Sequence, residues 1–284
     1  MANPQRADIL LPRITLAASL AFVGVIGAIW WISSSQLALA QAADSFMDVF
    51  TAAVLTWTVG ISRQPQDKEH PFGHTRAQPI GGLVTAVIAG VVAFEVARSA
   101  VFALLGDAEP SLEWIMVGVF GAKVAFKAAI YALSRNHGHV RPALNALAVD
   151  ARNDVLLGLL AVGGFFAARF GVPTLDAWLA LPIAAWIAWS GVELARDNIR
   201  LLMGEAPPQK RQEQLATIAA AVPGVKTAHD LRAHYLGTML HAHVHIVVDP
   251  ALSLKQAHDI GEAVRLAVEA EPDVSHCSVH IDIE

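Results

Sequence analysis

Long apolar blocks fill the chain up to about residue 203, and that pattern leaves few folds open to it. A helix that crosses a bilayer needs roughly 20 mainly apolar residues, since its backbone polar groups find no water there and must bond to each other. Six blocks qualify, at about 12–32, 36–60, 78–105, 112–134, 143–170 and 174–200. Short breaks separate them, among them Ser33-Ser34-Ser35, Ser62–His74, Gly106–Pro110, Arg135–Arg141 and Gly171-Val172-Pro173. The chain is 55% hydrophobic and 16% charged, too apolar and too poor in charge for a soluble domain of 284 residues. The first block is long enough to span, and no small-residue cleavage site follows it, so it reads as a span and not as a signal peptide.

Basic residues set the orientation. Arg6 and Arg13 precede the first span; Arg63, Lys68 and Arg76 lie around the second loop; Arg135 and Arg141 flank the fourth; Arg196, Arg200, Lys210 and Arg211 follow the sixth span. The first and third loops carry no Lys or Arg. Both termini are therefore expected in the cytoplasm, in a bacterial-type inner membrane. A net charge of −5 argues against a nucleic-acid partner. The single cysteine, Cys277, has no internal disulfide partner and reads as a small buried residue.

Pro207-Pro208 divides the chain into a transmembrane domain, 1–206, and a small α+β domain, 207–284. In the second, Lys210–Ala221 reads as a helix, Val225–Leu231 and Thr238–Val248 as strands, Leu254–Ala270 as an amphipathic helix and Val274–Ile283 as a last strand. His241, His243 and His245 alternate onto one strand face, where they could form a row of ligands. A domain this small would gain from dimerisation.

The informative residues are carboxylates in the wrong place. Asp44 and Asp48 fall inside the second span, Asp150 and Asp154 inside the fifth, each pair four residues apart and so on one helix face. A charge at the bilayer centre costs about 2.5–3.5 kcal/mol on insertion scales. A bound cation gives a reason for four of them: oxygen ligands converging from two helices make a divalent-metal site. Ser45 and Asn153 are candidate auxiliary ligands. In the second loop Asp67, His70 and His74 offer mixed oxygen and nitrogen donors suited to zinc and similar ions. His137 and His139 in the fourth loop read as exposed loop residues.

Asp44-Ser-Phe-Met-Asp48, His70-Pro-Phe-Gly-His74 and Asp150-Ala-Arg-Asn-Asp154, with His229-Asp230, His245, Gln256-Ala257-His258 and His280-Ile281-Asp282 in the tail, resemble the cation diffusion facilitator family over nearly the whole chain. The resemblance implies six transmembrane helices, a ferredoxin- or metallochaperone-like cytoplasmic domain, a homodimer and metal/proton antiport. It places Asp44, Asp48, Asp150 and Asp154 at the transport site. Asp67, His70 and His74 fall on a loop site, and His229, His245, His258, His280 and Asp282 on a cytoplasmic-domain site. The chain departs from the family in two places. Zinc-transporting members carry His where this chain has Asp150, and Met203 stands where an acid often pairs with the basic residue matched by Arg76, with Glu205 two residues on.

The expected activity is efflux of a divalent transition metal by alternating access, with protons and metal competing for the same carboxylate oxygens. Hard oxygen ligands favour manganese or iron, with zinc the main alternative. The metal is substrate and regulator, and no other cofactor is implied. A metal-gated channel with an acidic selectivity ring and a membrane metal sensor are the rivals. No nucleophile–base constellation points to an enzyme.

Overall fold

The computed structural model describes residues 4–33, 36–105, 114–135, 141–170 and 175–283, with the side chains at 4–8, 30, 32–33, 36–44, 116, 161, 164–165, 168–169 and 175–177 outside the description. His137 and His139 fall outside the described residues. The chain forms two compact units, residues 1–73 with 77–199, and residues 74–76 with 200–284.

The first unit is built from six long helices: α1 (Pro4–Ser33), α2 (Gln36–Ser62), α3 (Ala77–Leu105), α4 (Trp114–Ser134), α5 (Pro142–Arg169) and α6 (Leu175–Leu202). Among the described residues, five stretches are long and apolar enough to cross a membrane: Ile9–Ile29, Ser45–Ser62, Ala77–Leu105, Val117–Ser134 and Trp178–Leu202. The remaining helix, α5, is 28 residues long and carries Asp150, Arg152 and Asp154 in its first half. Large apolar side chains face outward, among them Trp57, Val87, Phe94, Phe102 and Trp186. Water would make such a surface an aggregation hazard; lipid makes it a solvent contact.

Leu55 and Val59 of α2, Ile130 of α4, Leu144, Leu147 and Ala151 of α5 and Leu194 of α6 share one buried cluster. Apolar burial drives little association in lipid, so close approach through small residues carries more of the packing. Gly158 of α5 supplies such an approach. A Cβ there would lie 2.2 Å from Val124 Cγ2 of α4, so only glycine lets the two helices meet at this level. Gly191 of α6 lies close to α3, where a Cβ would sit a tight 3.2 Å from the Ala86 carbonyl oxygen.

The second unit runs α7 (Gln209–Ala220), β1 (Thr227–Leu236), β2 (Met239–Val248), α8 (Leu254–Glu269) and β3 (Val274–Ile283). The sheet order is β1-β2-β3, with β1 and β2 antiparallel and β2 and β3 parallel across the α8 crossover. Leu240, Ala242, Val244, Ile246 and Val248 of β2 face the helices and pack with Leu215 and Ala219 of α7 and Val264 and Val268 of α8. The other face carries the histidines. Ser253 caps α8, accepting from Gln256 N at 3.3 Å, while Gln256 Oε1 accepts from Ser253 N at 2.9 Å. The β1–β2 hairpin turns at Gly237, whose φ of 70° and close neighbour, the Thr75 carbonyl, both exclude a side chain.

Candidate metal centres

Asp48 of α2 and Asp150 and Asp154 of α5 bring one carboxylate oxygen each within 4.8 Å of the others. The i, i+4 spacing stacks Asp150 and Asp154 on one face of α5, and Asp48 faces them from α2. All three are largely shielded, with side-chain exposures of 6%, 13% and 12%. Asp44 lies one turn before Asp48 on α2, and its side chain is outside the described residues.

The charge of this cage is offset by two lysines that the motif reading did not single out. Lys127 of α4 places its Nζ 3.2 Å from Asp48 Oδ1 and 3.2 Å from Asp150 Oδ2, and pairs with Asp154. Its side chain is 1% exposed. Lys123, one turn earlier, lies 2.8 Å from Asp48 Oδ2 and donates to Ser45 Oγ at 3.5 Å. A signal was present in the sequence: two basic residues four apart inside an apolar block, the same spacing as the aspartate pairs. Of the candidate auxiliary ligands, Ser45 touches the cage through Lys123, while Asn153 Oδ1 accepts from Ser190 Oγ of α6 at 3.3 Å.

In the second loop, His70 Nδ1 lies 3.2 Å from Asp67 Oδ1. The same oxygen accepts from the backbone N–H of His70 at 2.6 Å and of Glu69 at 2.9 Å. These donors, His70 first, hold the Asp67 carboxyl below the usual range, so it offers a ready anionic ligand. His74 is half-buried and groups with the second unit.

The cytoplasmic unit has its own convergence. His229, His245 and His280 are paired in one row across β1, β2 and β3. Asp282 sits among them: its Oδ2 is 3.0 Å from His245 Nδ1 and 3.3 Å from His229 Nε2, and its Oδ1 is 3.2 Å from His280 Nε2. His229, His245 and Asp282 bring ligand atoms within 4.8 Å of one another. The hydrogen bond from His245, then the neighbouring imidazoles, hold the Asp282 carboxyl low.

A bulge completes the arrangement. His229 pairs with His245 and Arg232 with His243, so β1 carries one extra residue there, and Asp230 takes φ 45°. That turn brings Asp230 Oδ2 to 4.0 Å from His245 Nε2, adding a carboxylate to the site that ligand counting omitted. His258 is placed apart: it is exposed on α8, which packs on the opposite face of the sheet. A second row, His234, His241 and His276, lies further along the same open face, with ring centroids 5.5 and 4.8 Å apart. Cys277 is buried in the core between the sheet and the helices, and burial pushes its thiol up to about 11.

Comparison with known proteins follows this division. Residues 13–203 match the family described as the cation efflux transmembrane domain, and residues 207–284 that described as the cation efflux protein, cytoplasmic domain. The chain is 30% identical to the uncharacterized transporter MJ0449 of Methanocaldococcus jannaschii, over 90% of this chain and 91% of that one. It is 28% identical to the cation-efflux pump FieF of Cronobacter sakazakii, over 94% of this chain and 90% of that one. It is also 28% identical to metal tolerance protein C1 of Arabidopsis thaliana, over 89% of this chain and 57% of the plant protein.

Proposed function

The chain belongs to the cation efflux, or cation diffusion facilitator, family of membrane transporters, and we propose that it exports a divalent transition metal from the cytoplasm in exchange for protons. The observation that carries this reading is the convergence of Asp48, Asp150 and Asp154 from two helices of the apolar unit. Asp44, one turn from Asp48, is the fourth ligand of the proposed site. Protons and a divalent ion compete for the same oxygens, so a single site couples their movements without a separate proton path. Oxygen donors without an imidazole suit manganese and iron, and zinc is the principal competitor because the general affinity order favours it.

The cytoplasmic residues His229, His245, His280 and Asp282 are proposed as a regulatory metal site, with His258 as a further ligand and Asp67, His70 and His74 as a loop site. The protein acts as a homodimer in a bacterial-type inner membrane with both termini in the cytoplasm. The matched cytoplasmic-domain family supports the homodimer, and the row of histidines across β1, β2 and β3 supports the regulatory site.

The test is transport by purified protein in liposomes. Asp48→Ala and Asp154→Ala are expected to abolish metal uptake while leaving a folded protein, because no neighbouring side chain can replace their oxygens. An Asp154→Ala protein that carries metal at the wild-type rate would place the transport site elsewhere.

A further inference from the structure

We propose that Lys127 is a tethered cation that fills the carboxylate cage of the metal-free transporter and that an incoming divalent ion must displace it. The inference rests on the reading of the cage as the transport site. Its basis is where the ammonium sits. Lys127 Nζ contacts Asp48, Asp150 and Asp154, the same three carboxylates whose oxygens converge. It reaches them from a third helix, α4, and its side chain is buried, at 1% exposure. A structural salt bridge beside a metal site would use oxygens that the metal leaves over. Here Asp48 has none to spare: Oδ1 faces Lys127 and Oδ2 faces Lys123.

A divalent ion bound to these oxygens sits at about 2.0–2.6 Å from each. An ammonium held against the same carboxylates at that range is repelled by the ion and competes with it for their charge. Lysine is suited to yield: its charge is a compact point on a flexible four-carbon stem. Lys123 and Lys127 together leave three carboxylates facing two ammoniums. The two ammoniums therefore offset most of the charge of these three carboxylates and lower the cost of burying them.

Two consequences follow. The ion binds in competition with an internal cation, so its affinity is set below what the carboxylates alone would give, and the returning ammonium helps expel it on the far side. The metal-free carrier also keeps α2, α4 and α5 joined through one side chain.

The experiment measures equilibrium manganese(II) binding to the full chain, with His229, His245 and Asp282 changed to Ala so that the cytoplasmic site is silent. Net efflux and metal–metal exchange are measured in liposomes alongside. Lys127→Gln is expected to bind manganese(II) about tenfold tighter or more, to lose net efflux and to retain exchange. Lys127→Arg, which keeps the charge, is expected to stay near wild-type affinity. Unchanged or weaker binding in Lys127→Gln overturns the proposal. Should Lys127→Gln fail to fold without metal, saturating manganese(II) is expected to restore it, since the ion replaces the missing charge; a protein that stays unfolded under saturation contradicts displacement. Asp154→Ala with Lys127 intact separates the two readings. Wild-type binding in that variant removes the transport site itself, whereas lost binding there with unchanged affinity in Lys127→Gln removes only the role of the lysine.

Discussion

Asp150 offers oxygen where zinc-transporting relatives offer imidazole, and the two donors rank metals differently. Replacing it with His exchanges a hard anionic ligand for a neutral nitrogen. Asp150→His is expected to lower the ratio of manganese to zinc flux severalfold, measured in liposomes at matched protein and pH gradient. A wild type that moves zinc but neither manganese nor iron would remove the selectivity argument and leave the transporter assignment standing. At this scale the acidic half of the cage was legible, because charge inside an apolar block is conspicuous and repeated at one spacing. The basic half was present in the same form, as Lys123 and Lys127. What the sequence does not carry is that α4 turns both of them toward Asp48 and α5. Asp230 was hidden for a different reason: its reach toward His245 depends on a bulge, and a one-residue insertion in a ladder has no signature in an alternating pattern.

Helix α5 is the element in which the proposed span and the proposed site coincide. Lys127 of the closely packed α4 pairs with Asp150 and Asp154, while Arg152 stacks over Trp186 of α6. Gly158 is the residue that permits that close packing. Gly158→Val is expected to reduce transport at least as much as it lowers the melting temperature, because wedging α4 away from α5 moves Lys127 relative to Asp150 and Asp154. Gly118→Val, on α4 where a Cβ would meet nothing within 4 Å, is the matched control and is expected to behave as wild type. Equal losses in both variants would show that the α4–α5 contact has no special part in the site. The cytoplasmic elements were legible because their signals are local: alternation in β2 and β3, and the amphipathic pattern of α8. The extent of β1 was not, since its bulge breaks the period and the strand runs on to Leu236.

The molecule as a whole joins a transport unit to a small domain that displays histidines on an uncovered sheet face. Metal ligands drawn from different strands link them only when the ion is bound, and an ion that binds the folded state stabilises it by mass action. The full chain is therefore expected to gain several degrees in melting temperature with saturating zinc or manganese, and His245→Ala is expected to lose most of that gain. An undiminished shift in His245→Ala would remove the cytoplasmic site from any regulatory role. The central claim, that one carboxylate cage exchanges a divalent metal for protons, is tested most directly by uptake into proteoliposomes under an imposed pH gradient. Manganese, iron and zinc are presented in turn to wild type and Asp154→Ala. The account predicts saturable uptake by wild type that speeds when the metal-accepting side is acidified and collapses when the gradient is dissipated, with none in Asp154→Ala. Metal flux indifferent to the pH gradient, or equal in the two proteins, would contradict it.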